Sequence, residues 1–158
     1  MLAVRPASLE VYMRREFAAP RAVVFAAWTD ERLIARWWAS RDYTTVACKM
    51  DVRPGGAWSR RLMAPDGRLI SEHGVYHEVV SPERLVFTYS SEGVRIVDRE
   101  TLVTVTFLDR GDRTVLTLRH SGLPTEEARD FHDGGWERCL DRFTTNAPIV
   151  LSSPAGWS

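Results

Sequence analysis

Two histidines four residues apart are the first candidates for chemistry in this 158-residue chain. His73 and His77 have the spacing of a metal site on a helix, but the segment 69–80 that holds them has the pattern of a β-strand. Four residues of a strand span about 13 Å, whereas the ligands of one zinc ion lie roughly 2 Å from it. The sequence therefore predicts no metal site.

Two further histidines stand beside predicted apolar elements, His120 at the end of a strand and His132 one helical turn before Trp136. Such a histidine is commonly a hydrogen-bonded structural residue, and it can also contact a ligand or transfer a proton. Both interpretations stay open. The Gly55-Gly56 pair precedes a strand instead of opening a helix, so it does not predict a phosphate-binding loop. We expect no cofactor, and the sequence identifies no catalytic residue.

A charged pair, Arg60-Arg61, lies in the middle of a predicted strand. Side chains alternate between the faces of a strand, so Arg60 faces the interior if Trp58 and Leu62 do. An unpaired buried guanidinium is very costly, which predicts either a cross-strand ion pair at the rim or an anchor for a polar ligand group. In the second case we expect Arg60→Leu to weaken an acidic ligand with little loss of stability. The candidate carboxylate partners are Glu72, Glu78 and Asp51.

The residues 124–147 predict one long C-terminal helix around which the chain is organised. Thr125 is its predicted N-cap, and Pro148 is its predicted stop. Gly134 and Gly135 interrupt it, at a cost of roughly 1 kcal/mol each relative to alanine. They indicate either a close approach to a sheet or a hollow with Trp136 as its wall. The predicted apolar stripe is Ala128, Phe131, Gly135, Cys139 and Phe143, with Trp136 and Leu140 beside it.

Before this helix the pattern predicts one strand, two short helices and six more strands. Pro20 suits the first position of the first helix, and Asp30 suits the cap of the second. Tight turns such as Asp66-Gly67 join successive strands and predict an antiparallel meander, whose apolar face the long helix must cover. This order predicts an α+β fold. The predicted strands are 9–18, 44–52, 58–63, 69–80, 85–90, 101–108 and 114–120, with 91–99 as a loop.

Length and charge limit the classes of partner. The chain fits one domain over 1–158, with a core at about 9–147 and a tail at 148–158. Its 21 basic and 21 acidic residues cancel, so no net field favours nucleic acid or an anionic membrane, and we expect neither as a partner. Two cysteines and no signal-like apolar N-terminal run favour a reduced, cytoplasmic setting.

Five stretches carry a family resemblance, in order FAAPRAVVFAAWTDERLIARWW, DVRPGGAWSRRLMAPDG, GVYHEVVSPERLVFTY, TLVTVTFLDRGDRTVLTLRHSGLP and GGWERCLDRF. They resemble the START-like (SRPBCC) superfamily, and within it bacterial homologues of the C-terminal domain of the heat-shock-protein-90 ATPase activator. The resemblance implies a helix-grip fold, in which a curved antiparallel sheet wraps around the C-terminal helix and an apolar cavity lies between them. Arg60 departs from the family, which tends to have an apolar residue there.

In such a fold, alternate strand residues face the helix, and aromatic residues line the cavity as well as the core. We expect Leu116 and Leu118 to face the helix together with the predicted ligand-binding set, in which Arg60, Tyr76, Tyr89 or His120 orients the polar end of a ligand. That set is Trp38, Trp58, Arg60, Tyr76, Phe87, Tyr89, His120, Phe131 and Trp136.

The leading hypothesis for function is a module that binds a small apolar or aromatic molecule in this cavity. One alternative is an enzyme of the cyclase, dehydratase or hydrolase type that uses the same cavity with His120 or Glu72. A second is a chaperone-linked interaction protein, although we expect no additional N-terminal domain like that of the eukaryotic activator. The tail from Ile149 to Trp157 is then the candidate partner surface, unless it packs on its own domain or on a second copy in a homodimer.

Overall fold

The computed structural model of the chain describes residues 9–38, 42–92 and 99–150, with side chains as far as residue 144. Its first element is strand β1 (Leu9–Phe17), in which Val11 and Phe17 are buried while Glu10 and Tyr12 are exposed. This is the alternation that the sequence predicts for a strand with one solvated face.

Two short helices follow, α1 (Arg21–Thr29) and α2 (Glu31–Ile34). Pro20 is the N-cap of α1 and not its first helical residue. The Asp30 carboxylate accepts a hydrogen bond from the Arg32 amide at 2.8 Å, as its predicted capping role requires. Helix α2 is shorter than the pattern indicates. Its last turn continues irregularly to Trp38, whose amide donates to the carbonyl of Ile34 at 2.9 Å.

The sheet has seven antiparallel strands in the order β1-β7-β6-β5-β4-β3-β2, which confirms the predicted meander and the helix-grip architecture. Strand β1 pairs with β7 and forms one edge of the sheet, and β2 forms the opposite edge. Strand β5 runs to Glu92, two residues into the predicted loop, and residues 93–98 lie outside the described part of the chain. The strands are β2 (Thr44–Met50), β3 (Ala57–Met63), β4 (Leu69–Val80), β5 (Arg84–Glu92), β6 (Thr101–Arg110) and β7 (Arg113–Leu123).

The long helix α3 (Glu126–Val150) begins as predicted, since the Thr125 hydroxyl accepts a hydrogen bond from the Ala128 amide at 3.0 Å. Two predictions about it are wrong. Its backbone passes through Pro148, where a proline close to the helix end removes only one hydrogen bond. Phe131 is 42% exposed, because His132 takes the inward position and leaves Phe131 roughly 100° away around the helix.

The alternation predicted for the interior is confirmed. The residues expected to face inward on β3, β5 and β7 are all buried, namely Trp58, Arg60, Leu62, Phe87, Tyr89, Leu116, Leu118 and His120. Tryptophans fill the space between the sheet and the helices: Trp28 packs against both Trp37 and Trp136, with ring centroids 4.7 and 6.1 Å apart. Within the described ranges no helix is both long and apolar enough to cross a membrane.

Candidate functional site

Arg60 is 3% exposed and forms a buried ion pair with Glu72 of the neighbouring strand. Its Nε donates to Glu72 Oε1 at 2.8 Å, its Nη2 donates to the same oxygen, and its Nη1 donates to the backbone carbonyl of Trp38. Glu72 Oε2 accepts a hydrogen bond from the Tyr89 hydroxyl. The predicted carboxylate partner is therefore Glu72, and the pair lies in the interior instead of at the rim.

The other two candidate carboxylates form ion pairs at the surface. Glu78 pairs with Arg84 at 3.3 Å and Asp51 pairs with Arg53 at 2.9 Å, each between side chains that are at least 44% exposed. Exposed pairs of this kind contribute little to stability. Only Glu72 reaches Arg60, because the two residues are direct cross-strand partners in the β3–β4 register.

The neighbours of His120 determine which of its ring nitrogens carries the hydrogen. Trp136 Nε1 donates to His120 Nδ1 at 3.0 Å, and an indole nitrogen is only a donor. His120 Nδ1 is therefore unprotonated, and the ring carries its hydrogen on Nε2, which lies 2.7 Å from the Thr101 hydroxyl. Burial lowers the pKa of His120 well below its ordinary value. With both nitrogens committed, His120 is a structural residue.

His132 lies against His120 and Tyr89, with ring centroids 4.6 and 5.4 Å away. Its Nε2 is buried and has no hydrogen-bond partner among the described residues. Burial lowers the pKa of His132 to about 4, although the nearby Glu72 carboxylate acts in the opposite direction. The ring is therefore neutral at physiological pH.

Acidification should destabilise the fold through His132. Above pH 6.5 the ring is neutral in the folded and the unfolded chain, so it adds no pH dependence. Between pH 6.5 and about 4 only the unfolded chain binds the proton. The full loss is roughly 3 kcal/mol, of which roughly 2 kcal/mol is reached at pH 5. Urea unfolding at pH 7 and pH 5 measures it.

The variant His132→Gln is the control for this effect. Glutamine does not titrate, so the variant should lose less stability between pH 7 and pH 5 than the wild type does. His120 also contributes to the acid sensitivity, so the slope should decrease without vanishing. An unchanged slope in the variant would show that His132 is not the group that titrates.

A pocket lies between the two short helices and the β2–β5 half of the sheet. Cys48 and Met50 are the half-buried residues of its wall, so β2 forms the side nearest to solvent. The walls are almost entirely apolar. The lining residues are Trp28, Ile34, Trp38, Cys48, Met50, Trp58, Arg60, Tyr76, Leu85 and Phe87.

The pocket is small, and its few polar groups are distinctive. The volume open to the centre of a water molecule is about 10 Å³, which is room for one water-sized group. Trp28 Nε1 is buried without a hydrogen-bond partner among the described residues. Burial raises the pKa of Tyr76 and of the Cys48 thiol, so both groups are neutral and carry a proton to donate.

The nine predicted ligand-binding residues separate into three groups. Trp38, Trp58, Arg60, Tyr76 and Phe87 line the pocket. Tyr89, His120 and Trp136 lie in the polar cluster instead, and the exposed Phe131 does not face the interior.

This pocket lies under α1 and α2 and none of its lining residues belongs to α3, so it is not the cavity between sheet and C-terminal helix that the resemblance implies. Five of the lining residues were not predicted from the sequence. Two of them, Cys48 and Met50, are two residues apart on β2, which is the spacing of side chains on one face of a strand. The missed residues are Trp28, Ile34, Cys48, Met50 and Leu85.

The histidine pair of β4 and the glycine pair of α3 both lie away from the pocket. His73 and His77 are exposed on β4, and among the described residues no group of histidine, cysteine or acidic side chains is arranged to hold a metal ion. Neither helix glycine approaches the sheet: a Cβ on Gly135 would meet nothing within 4 Å, and one on Gly134 would meet only the Arg138 side chain of the same helix.

Comparison with known proteins identifies relatives of this sequence and of this fold. Residues 18–147 match the family described as "Activator of Hsp90 ATPase homolog 1-like protein". No curated protein matches the sequence significantly.

Solved structures with the same fold come from several bacteria. A protein from Rhodobacter sphaeroides superposes with a TM-score of 0.77 at 24% identity, covering 94% of this chain and 98% of its own. The AHSA1 protein from Silicibacter pomeroyi gives 0.77 at 21% identity, covering 89% and 99%. An AHSA1-like protein from Aeromonas hydrophila gives 0.75 at 24% identity, covering 92% and 97%. These likenesses establish the fold.

Proposed function

The chain belongs to the family of Activator of Hsp90 ATPase homolog 1-like proteins, and from this premise we propose that it binds a small, largely apolar molecule in the pocket between α1, α2 and strands β2–β5. The walls of the pocket are almost entirely apolar and aromatic, as those of small-molecule sites predominantly are. A cytoplasmic location stays a prediction.

The observation that carries this proposal is the indole nitrogen of Trp28. Trp28 is 1% exposed and lines the pocket, yet its Nε1–H has no partner among the described residues. Leaving a buried donor unpaired costs about 1–3 kcal/mol, and most buried polar groups in folded proteins are paired. A ligand that brings a hydrogen-bond acceptor to this nitrogen would satisfy the donor.

Binding is favoured over catalysis because the groups predicted as catalytic acids or bases, His120 and Glu72, lie outside the pocket together with His132. His120 and His132 do not line the pocket, and both nitrogens of His120 are already hydrogen-bonded. Glu72 is committed to Arg60 and Tyr89. General acid–base catalysis needs a group within hydrogen-bond reach of the reacting atom, and these three groups face one another instead.

The thiol of Cys48 provides a direct test, because it lies on the pocket wall and is half-buried. The probe is 1-anilinonaphthalene-8-sulfonate, an apolar dye whose binding is followed by its fluorescence. We expect saturable binding, and we expect the bound dye to slow alkylation of Cys48 by iodoacetamide in proportion to occupancy. Peptide mass mapping separates Cys48 from the buried Cys139.

A matched pair of variants on β2 shows where the dye binds. Cys48→Met lengthens the side chain on the pocket wall and should weaken binding. Val46→Met introduces the same side chain at a position that is 54% exposed and does not line the pocket, so it should leave binding unchanged. Equal binding by the two variants, or dye binding that leaves Cys48 fully reactive, would refute the pocket as the site.

A further inference from the structure

The side chain of Trp38 fills the space in which a ligand would be expected. Its indole is 7% exposed, lines the pocket and is surrounded by other aromatic rings. The ring centroids of Trp28, Trp37, Trp58, Phe87 and Trp136 lie 5.2–6.1 Å from that of Trp38. Four of these five rings come from α1, β3, β5 and α3, so Trp38 stands where the helices and the sheet meet.

Arg60 contacts Trp38 in two ways. Its guanidinium carbon lies 4.6 Å from the centroid of the Trp38 ring, within the range of a cation–π interaction. Its Nη1 donates a hydrogen bond to the backbone carbonyl of Trp38. One guanidinium thus binds a flat aromatic ring and a carbonyl oxygen that belong to the same residue.

We infer that Trp38 occupies the position of the ligand, and that the ligand is a planar aromatic molecule carrying a carbonyl or carboxylate group. This inference rests on the proposed function and defines the class of molecule for that pocket. The aromatic ring of the ligand takes the place of the indole among the surrounding aromatic rings. Its oxygen takes the place of the Trp38 carbonyl at Arg60 Nη1.

The size of the pocket supports the replacement of the Trp38 indole by the ring of a ligand. With Trp38 in place the open volume is about 10 Å³, too small for any ring, so a ligand requires a side chain of the wall to move. An apolar cavity of about 150 Å³ is sufficient to bind benzene, and the loss of an indole opens space of this order. Trp38 therefore determines both the size and the planarity of the ligand that the pocket binds.

Among the tryptophans that line the pocket, Trp38 is the one whose backbone is not in a regular element. Trp58 lies within β3 and donates from Nε1 to the Thr88 carbonyl at 3.2 Å. Trp28 lies within α1. Trp38 follows the last turn of α2, where its backbone is held by one amide bond to Ile34 and by Arg60.

The inference is tested by probe binding to wild type and to two tryptophan variants. The probes are indole-3-carboxylate and cyclohexanecarboxylate, which share the carboxylate and differ in the flat ring. Trp38→Ala should bind indole-3-carboxylate about tenfold or more tightly than wild type does, because the indole no longer occupies the position of the ligand ring, whereas the backbone carbonyl of residue 38 has to leave Arg60 in both proteins. The matched control is Trp37→Ala, since Trp37 is also buried and its ring lies 5.9 Å from that of Trp38, but it does not line the pocket. It should bind no better than wild type.

Displacement of Trp38 in the wild-type protein is the second measurement. Protein labelled with 5-fluorotryptophan gives a fluorine resonance for each indole, and Trp38→Phe assigns the one in question. Indole-3-carboxylate should shift the Trp38 resonance far more than that of Trp37, and cyclohexanecarboxylate should have little effect. If Trp38→Ala does not fold, Trp38→Leu replaces it in the binding comparison.

The outcomes separate this inference from the proposed function. Binding to wild type that protects Cys48 but leaves the Trp38 resonance unchanged would overturn the inference and retain the pocket as a site. Binding to Trp38→Ala with none to wild type would show only an engineered cavity, and would also overturn it. Equal gains in Trp37→Ala and Trp38→Ala would do the same.

Discussion

Glu72→Leu should destabilise the protein by about 3–5 kcal/mol, the range found when one partner of a buried ion pair is removed. The Arg60 guanidinium would then be buried with the Trp38 carbonyl as its one remaining acceptor among the contacts described above. The Tyr89 hydroxyl would also lose its acceptor. Urea unfolding, with the midpoint and the slope measured separately, gives the change in the free energy of unfolding.

Two controls isolate the buried charge as the cause. Glu78→Leu removes a carboxylate from the same strand, but its pair with Arg84 is exposed, so we expect a change within about 1 kcal/mol. Adding Arg60→Met to Glu72→Leu removes both charges and should restore part of the lost stability. A Glu72→Leu protein as stable as wild type would show that the guanidinium reaches water.

The paired burial of Arg60 changes the expectation drawn from the sequence, in which Arg60→Leu costs little stability. That variant leaves the Glu72 carboxylate buried with the Tyr89 hydroxyl as the hydrogen-bond donor that remains to it. The substitution should therefore lower stability as well as any affinity for an acidic ligand. The double variant, in which no buried charge is left, separates the two effects.

The fold could be predicted from the sequence because its signals are local. The alternation around Arg60 placed it inside, and the Thr125 cap marked the start of α3. Tight turns between strands that follow one another in the chain leave an antiparallel meander as the simple arrangement. The error at Phe131 arose because the three- and four-residue spacing fits an inward face of α3 that contains Phe131 as well as one that contains His132. Phenylalanine is buried more often than histidine, so the sequence favours the wrong face.

The site could be predicted only in part, because it depends on distances between elements that the sequence does not contain. Five of the nine predicted residues line the pocket: four lie on the inward faces of β3, β4 and β5, where alternation applies, and the fifth, Trp38, follows α2. The position of α1 and α2 over β2–β5 is set by tertiary packing of Trp28 and Trp38. No periodicity in the sequence shows that packing, so the pocket was expected under α3.

Gly74→Ala should be the most damaging single methyl group added to the sheet. A Cβ at Gly74 would overlap the backbone carbonyl oxygen of Thr88 and lie 2.5 Å from Trp58 Nε1. The Thr88 oxygen is also the acceptor for that indole nitrogen, so β5 cannot move away without breaking the bond. Overpacking costs about 1–3 kcal/mol, and the buried indole left unpaired costs about 1–3 more.

The same substitution at Gly135 is the control, because a Cβ there meets nothing within 4 Å. Gly135→Ala should raise the free energy of unfolding by about 0.5–1 kcal/mol through helix propensity alone. Thermal unfolding of both variants should therefore shift in opposite directions from wild type. Because Trp58 lines the pocket, Gly74→Ala should also alter binding of 1-anilinonaphthalene-8-sulfonate, whereas Gly135→Ala should not. A Gly74→Ala protein as stable as wild type would show that β4 and β5 tolerate a wider separation at the pocket wall.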